Sequence, residues 1–556
     1  MIFGALFMAA AVVAQSPSTT LSATTTFGAG VPTDKPLPGD YNGVWRPQTH
    51  FSPPSGFMND PNGCFVDANG TYHMYYQYNP SATVAGNQHW GHATSKDLYH
   101  WDNQKIAIFA TENSQIFSGS AVIDVNNTSG FFPNQDNGVV AIYTTNTPTA
   151  QTQDLAWSVD GGYTFEKYSG NPVLTLSPAS TQFRDPKVIR HGDLWVMVIA
   201  YSQEFVIGFF TSPDLKSWTH ASNFTSHGLL GLQYECPSLV EMPVEGGTTA
   251  WVLAISINPG APLGGSIQEY FIGDFNGTHF TPLDNAARIS DFSKDNYAGQ
   301  FFYGIPPTEE QIYIGWASNW EYAQVIPTGS SEGWRSAMTL PRRTKLAKVQ
   351  RTGWDMLDVP VDLAPVLETP LAQNSSLGNG SILIDYSSLD SGAIFFQCNV
   401  SNIPNITLSK GTLNFTFSSS STQESISGGF FFGGDNPFWM NRGKVLGFGE
   451  INPFFSDKYS IGNPINANGT FTLEGVLDRS ILEVFLDHGR STGTMTFYPE
   501  GVLDTMVLKT AGLNEDVAVS VAIWGLKSTW ATKVNEEGIV LGNVTTSAVA
   551  ARALVF

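Results

Sequence analysis

Three carboxylates stand one or two residues before a proline, each at the head of an apolar run: Asp60-Pro61, Asp185-Pro186 and Glu235-Cys236-Pro237. A residue that precedes proline is held out of the helical region. Proline itself brings no N–H to a ladder. Each acid is therefore expected at a strand entrance rather than inside regular pairing. A lone Asp-Pro is ordinarily a turn, but three acids presented alike suggest one acid-lined pocket. Glycosidic cleavage needs such a set, with one carboxylate to attack or activate water and one carboxylic acid to protonate the leaving oxygen.

Residues this far apart in sequence need an architecture that gathers them. Ser95-Lys96-Asp97-Leu98-Tyr99-His100-Trp101 recurs as Ser212-Pro213-Asp214-Leu215-Lys216-Ser217-Trp218, with relatives at Ser158–Phe165 and Gly273–Phe280. Each is a turn signal between an apolar run and an aromatic residue, as in a hairpin. A spacing near 60 residues with several strands per unit indicates propeller blades, and residues 46–346 hold about five of them. The three acids then open inner strands of different blades at one channel mouth. Past Pro341-Arg342-Arg343 the period is lost. A Pro-containing stretch, 347–374, reads as a linker, and 375–530 reads as a β-sandwich, with runs such as Gly411–Phe417 and Ser480–Leu486. The expected fold is all-β, a five-bladed propeller followed by a sandwich.

Composition agrees: 13% aromatic, only 13% charged, 54 Gly and 32 Pro describe a turn-rich β protein. A formal charge of −21 argues against nucleic acid as a partner and is otherwise a matter of solubility. Residues 1–15 are apolar and then turn small and polar, like a secretory signal without its usual basic start. They are too short to span a bilayer, and no later run is long enough. Twelve Asn-x-Ser/Thr sites, at Asn69, Asn126, Asn127, Asn223, Asn276, Asn374, Asn379, Asn399, Asn405, Asn414, Asn468 and Asn543, point to a secreted, N-glycosylated protein. Three cysteines, Cys64, Cys236 and Cys398, cannot form a disulfide framework. Residues 16–45 read as a leader with little structure, and 531–556 as an extension.

The motifs around the acids are specific. Met58-Asn59-Asp60-Pro61-Asn62-Gly63, Tyr76-Gln77-Tyr78-Asn79-Pro80, Trp90-Gly91-His92-Ala93, Phe117-Ser118-Gly119-Ser120, Phe183-Arg184-Asp185-Pro186, Tyr234-Glu235-Cys236-Pro237 and Gly315-Trp316-Ala317-Ser318-Asn319-Trp320 follow one another in order. Over residues 46–530 the chain resembles glycoside hydrolase family 32. The resemblance implies a five-bladed propeller with a sandwich, no metal or other cofactor, and a retaining β-fructofuranosidase acting on sucrose and short fructans. It implies Asp60 as nucleophile, Glu235 as acid/base and Asp185 as the residue that braces the fructosyl ring in the transition state. Negative neighbours should raise the proton affinity of Glu235, which suits an acid.

Around these, Asn59, Gln77 and Arg184 can hydrogen-bond sugar hydroxyls or orient an acid, and Trp90 and Trp316 can offer apolar faces to a sugar. Phe117, Ser118 and Ser120 fall in a motif that lines the same pocket in the family. Trp320 reads as core, and Cys236 either tunes the acids or is structural. His73, His89 and His92 show no metal-ligand spacing. Phe57 stands where many relatives carry Trp, and Asn296 where an aromatic is common. Both are expected at the pocket rim, where they would bear on leaving-group and acceptor choice. Fructosyl transfer, exo-inulinase or levanase activity, and a non-catalytic glycan-binding propeller are the alternatives. The sandwich is a possible surface for homo-oligomers.

Overall fold

A computed structural model describes residues 31, 34–228, 230–349, 353–405, 408–530 and 553–555. The expected signal segment 1–15 lies outside them. Five inner strands, Gly56–Val66, Gln115–Ile123, Phe183–His191, Tyr234–Val244 and Tyr297–Phe301, each touch the next, and the fifth touches the first. They ring a central channel, and each starts an antiparallel blade, I to V. Trp334–Arg335 pairs in parallel with Gly56–Phe57 and ties the end of the ring to its beginning. Blades IV and V meet at one parallel pair, Val244 with Leu346.

The repeated Ser/Asp segment is the turn between the third and fourth strands of blades I to IV. In blade I, Asp97 Oδ1 accepts the N–H of Tyr99 and of His100, Ser95 Oγ accepts the N–H of Leu98, and Leu98 takes φ = 69°. In blade III Asp214 Oδ1 accepts the N–H of Lys216 and of Ser217, Ser212 Oγ accepts the N–H of Asp214, and Leu215 takes φ = 64°. Blade IV substitutes Asn276, whose side-chain oxygen accepts from Thr278 and His279. A short carboxylate or amide that bonds its own downstream backbone is what makes such a turn tight.

All five inner strands carry the same irregularity near their first residues. Against the second strand of its blade, each places two residues opposite one: Asn59-Asp60, Phe117-Ser118, Asp185-Pro186, Cys236-Pro237 and Ala298-Gly299. These are β-bulges, which interrupt the ladder and re-aim side chains. Asp185, Cys236 and Ala298 sit in the left-handed region at φ of 67°, 43° and 52°. Proline fits here because the ladder is already broken.

The expected linker needs correction. Gly353–Pro360 is the outer strand of blade V, paired with Arg342–Val349, and Leu367–Asn374 is already an edge strand of the sandwich, paired with Ala518–Leu526. The sandwich stacks a six-stranded sheet on a seven-stranded one. The expected runs appear in it as Thr412–Ser418 and Ile481–Leu486. Ile394, Phe396, Cys398 and Val400 alternate inward from one sheet and meet Leu413, Phe415 and Phe417 from the other. The described end of the presumed leader is packed, not free: Tyr41 stacks on Trp530 at 4.0 Å, and the Trp45 indole donates to the Pro499 carbonyl. In the C-terminal extension, Ala553–Val555 pairs with Ile382–Ile384.

Candidate active site

The bulges bring the three acids together in two linked tiers. In the first, Asp60 Oδ2 accepts from Ser118 Oγ at 2.6 Å and from Cys236 Sγ at 3.4 Å. Cys236 also serves Asp185 Oδ2, through its N–H at 3.0 Å and its thiol at 3.5 Å. Residues of blades I to IV thus form the chain Ser118–Asp60–Cys236–Asp185. The second tier uses the residues just before the bulges of blades III to V. Arg184 donates to Glu235 Oε1 from Nη2 at 2.8 Å and Nε at 3.2 Å, while the Tyr297 hydroxyl meets Glu235 Oε2. Arg184 Nε also lies 3.9 Å from Asp185, so one guanidinium joins the tiers.

Burial sets the electrostatics. Asp60 and Asp185 are 8% and 6% exposed, and the Glu235 side chain 16%. Desolvation pushes the Asp185 carboxyl up to about 7. Arg184 opposes that shift, while the Glu235 and Asp60 charges reinforce it. Burial also raises Asp60, against the donors Ser118 and Asn59. Asp60 has only neutral donors, whereas Glu235 carries the cation. The Cys236 thiol is pushed well up by burial and the three acids, so it is a neutral donor and not a nucleophile.

The remaining predicted residues divide. Asn59 donates to Asp60 Oδ1 at 3.0 Å and is itself held by Gln88 Nε2 at 2.7 Å. Gln77 lies opposite the blade I bulge, between the paired Tyr76 and Tyr78, and its Nε2 has no partner among the described residues. Phe117 uses its carbonyl to accept from the Trp90 indole at 3.0 Å. Ser120 does not present a free hydroxyl: it is fully buried, donates to Pro186 O and accepts from Val188 N, joining blades II and III. Trp90 is equally buried, packed with Tyr75 and Tyr143 between blades.

Trp316 is also fully buried, whereas Trp320, expected in the core, is the partly exposed ring of the pair, 4.8 Å away. Phe57 and Asn296 are not rim residues; both are 0% exposed, Phe57 beside the two tryptophans and Asn296 accepting from Tyr313. Tyr297 and Gln88 were not singled out from sequence. Tyr297 lies in the segment Lys294–Ala298, yet its type reads as an ordinary strand residue. Among the described residues no group of three or more His, Cys, Asp or Glu is placed to hold a metal ion.

A five-bladed propeller joined to a sandwich, with two hydrogen-bonded aspartates and an arginine-held glutamate at its mouth, defines a glycoside hydrolase. Comparison with known proteins agrees. The Glycosyl hydrolases family 32 N-terminal domain matches residues 50–354, and the C-terminal domain of that family matches 384–525. An invertase of Schizosaccharomyces pombe is 42% identical over 492 residues, covering 83% of this chain and 81% of its own. An extracellular exo-inulinase of Meyerozyma guilliermondii is 43% identical over 492 residues, covering 82% and 90%. A solved fructofuranosidase of Schwanniomyces occidentalis, complexed with fructose, superposes with a TM-score of 0.81 at 37% identity, covering 88% of this chain and all of that one. The chain belongs to glycosyl hydrolase family 32.

Proposed function

We propose that this protein is a retaining β-fructofuranosidase that hydrolyses the terminal non-reducing β-D-fructofuranoside of sucrose and short fructans. The observation that carries the reading is the gathering of three acids at one mouth, with Asp60 and Asp185 joined through Cys236 and Glu235 tied to Asp185 by Arg184; the role of each is the one the family resemblance implies. Asp60, as carboxylate, attacks the anomeric carbon of the fructosyl unit. Glu235 gives its proton to the departing glycosidic oxygen, glucose leaves, and an ester joins fructose to Asp60. Glu235 then takes a proton from water as that water attacks the same carbon, and Asp60 is released. The Tyr297 hydroxyl both donates and accepts, so it can follow Glu235 through both protonation states. Asp185 braces the ring hydroxyls, and Asn59, Gln77 and Arg184 complete the polar lining.

The exo-inulinase among the relatives favours a second reading, release of fructose from longer fructans, and transfer to a sugar acceptor is a third. A sucrose time course with full product speciation separates them. Hydrolysis gives equal glucose and fructose; abundant trisaccharide with little free fructose would assign a transferase. Faster fructose release from inulin than from sucrose would assign an exo-inulinase. Export with N-glycosylation is the companion proposal, supported by an extracellular relative and by exposed sequon residues such as Asn69, Asn223 and Asn468. Self-association through the sandwich is a separate expectation, read by light scattering on the full chain.

A further inference from the structure

Gly119 is gripped at both of its backbone groups by side chains from other blades. Its N–H donates to Asn62 Oδ1 at 3.1 Å, from blade I, and its carbonyl accepts from Gln300 Nε2 at 2.9 Å, from blade V. Asn62 also donates to the Asp60 carbonyl at 3.3 Å. Both amides are buried, Asn62 at 0% and Gln300 at 6% exposed. Gly119 directly follows Ser118, whose hydroxyl donates to Asp60 Oδ2.

Ser118 needs such a grip because of where it lies. It belongs to the bulge of blade II, where the register skips from Ile116 to Gly119 and two residues, Phe117 and Ser118, face one on the second strand. Gly119 is pressed against the second strand, so close that a Cβ there would stand 2.1 Å from the Ile142 carbonyl. A short serine on a bulge can meet a carboxylate at 2.6 Å only if the peptide after it is fixed. The strand that supplies Gln300 also supplies Tyr297, the partner of Glu235.

We propose that Gln300, acting with Asn62 through the Gly119 peptide, is a positioning residue that aims Ser118 at Asp60. The inference rests on the reading of Asp60 as nucleophile. It makes one five-residue strand the common support of both reacting acids: Tyr297 orients Glu235 directly, and Gln300 orients the donor to Asp60 from across the channel.

The test uses Gln300→Met, which keeps length without a donor, Gln300→Lys, which keeps a donor, Ser118→Ala, and the double variant Ser118→Ala/Gln300→Met. Sucrose kcat and KM are measured across pH, with a melting curve for each protein. Gln300→Met should lower kcat about tenfold, as expected for weakening one hydrogen bond to a charged group, while KM stays within about twofold. Its acidic limb should move to higher pH, because the Ser118 donor favours ionised Asp60. Gln300→Lys should recover most of kcat, and the double variant should be no slower than Ser118→Ala alone. Should Gln300→Met fail to fold, Gln300→Asn, one methylene too short to reach Gly119, replaces it with the same expectations. Losses that multiply in the double variant, or an acidic limb that does not move, overturn the proposal in an enzyme that remains active. A wild-type protein that leaves sucrose intact would instead contradict the assigned reaction itself.

Discussion

Asp185 stands 6% exposed between the Arg184 guanidinium and two other acids, and burial lifts it from the ordinary 3.8 to about 7. A carboxyl raised in the folded state binds its proton more tightly there than in the unfolded chain. Its contribution to stability is therefore fully present below about pH 4 and is lost as pH rises through about 7. Asp185→Asn removes that loss. The variant should melt a few degrees above wild type at pH 8, on the order of 2 kcal/mol, with the gap closing near pH 4. Activity should fall sharply at every pH. A wild type as stable as the variant at pH 8 would contradict the account. These acids were legible in sequence because proline marks the broken ladder on which Asp60 and Asp185 sit and which Glu235 directly precedes. The shell was less so: residue type does not tell a tryptophan that faces a pocket from one packed between blades, as Trp90 and Trp316 are. Tyr297 escaped notice because tyrosine in a strand is ordinary, and only its distance in space from Glu235 gives it meaning.

The five bulges matter more to function than the blades that bear them. A bulge re-aims the side chains of its strand; one occurs at each inner strand, and those of blades I to IV bring Asp60, Ser118, Asp185 and Cys236 together. Bulges leave little trace in a single sequence, because two residues opposite one are defined by the partner strand. The turns at the other side of the blades were legible, since an Asp two residues after Ser writes its own hydrogen bonds. The sequence between Arg342–Val349 and Gly353–Pro360 of blade V carries no such Ser-x-Asp motif, so the repeat does not mark its outer strand. Asp214 Oδ1 accepts from the backbone of Lys216 and Ser217 and from Ser212 Oγ. Asp214→Ala should cost about 1–2 kcal/mol of stability by denaturant unfolding. It should leave kcat and KM for sucrose unchanged, because the turn supports a blade and not the mouth. A lowered kcat in a fully folded variant would show that the turn reaches the site.

At the scale of the molecule, the sandwich holds the propeller through buried charges. His50, at the start of the propeller, lies between Asp478 at 2.8 Å and Glu483 at 3.0 Å, and Asp478 also accepts three successive backbone N–H groups, from Gln48, Thr49 and His50. Arg342 closes the set on Glu483 at 2.6 Å. Burial alone would push the imidazole down, but the two carboxylates outweigh it and hold it up at about 9. That stabilisation is complete below the ordinary 6.5 and is lost as pH rises through about 9. His50→Gln should destabilise by about 3 kcal/mol or more near neutral pH, since it leaves two buried carboxylates with less compensation. It should also flatten the fall in melting temperature between pH 6.5 and 9. An unchanged slope would remove His50 from the account. Nothing in the sequence paired His50 with residues more than 400 positions away. The two-domain plan was legible from repeat and composition, but their joint was not.

In the proposed mechanism Asp60 bonds covalently to fructose while Glu235 moves the proton. β-D-Fructofuranosyl fluoride has a leaving group that needs no acid, so Glu235→Ala should still react with it and then stall, because no base activates water. After an acid quench, peptide mapping by mass spectrometry should place a fructosyl adduct on Asp60. An adduct on Asp185, or rapid turnover of the fluoride with no adduct, would contradict the mechanism.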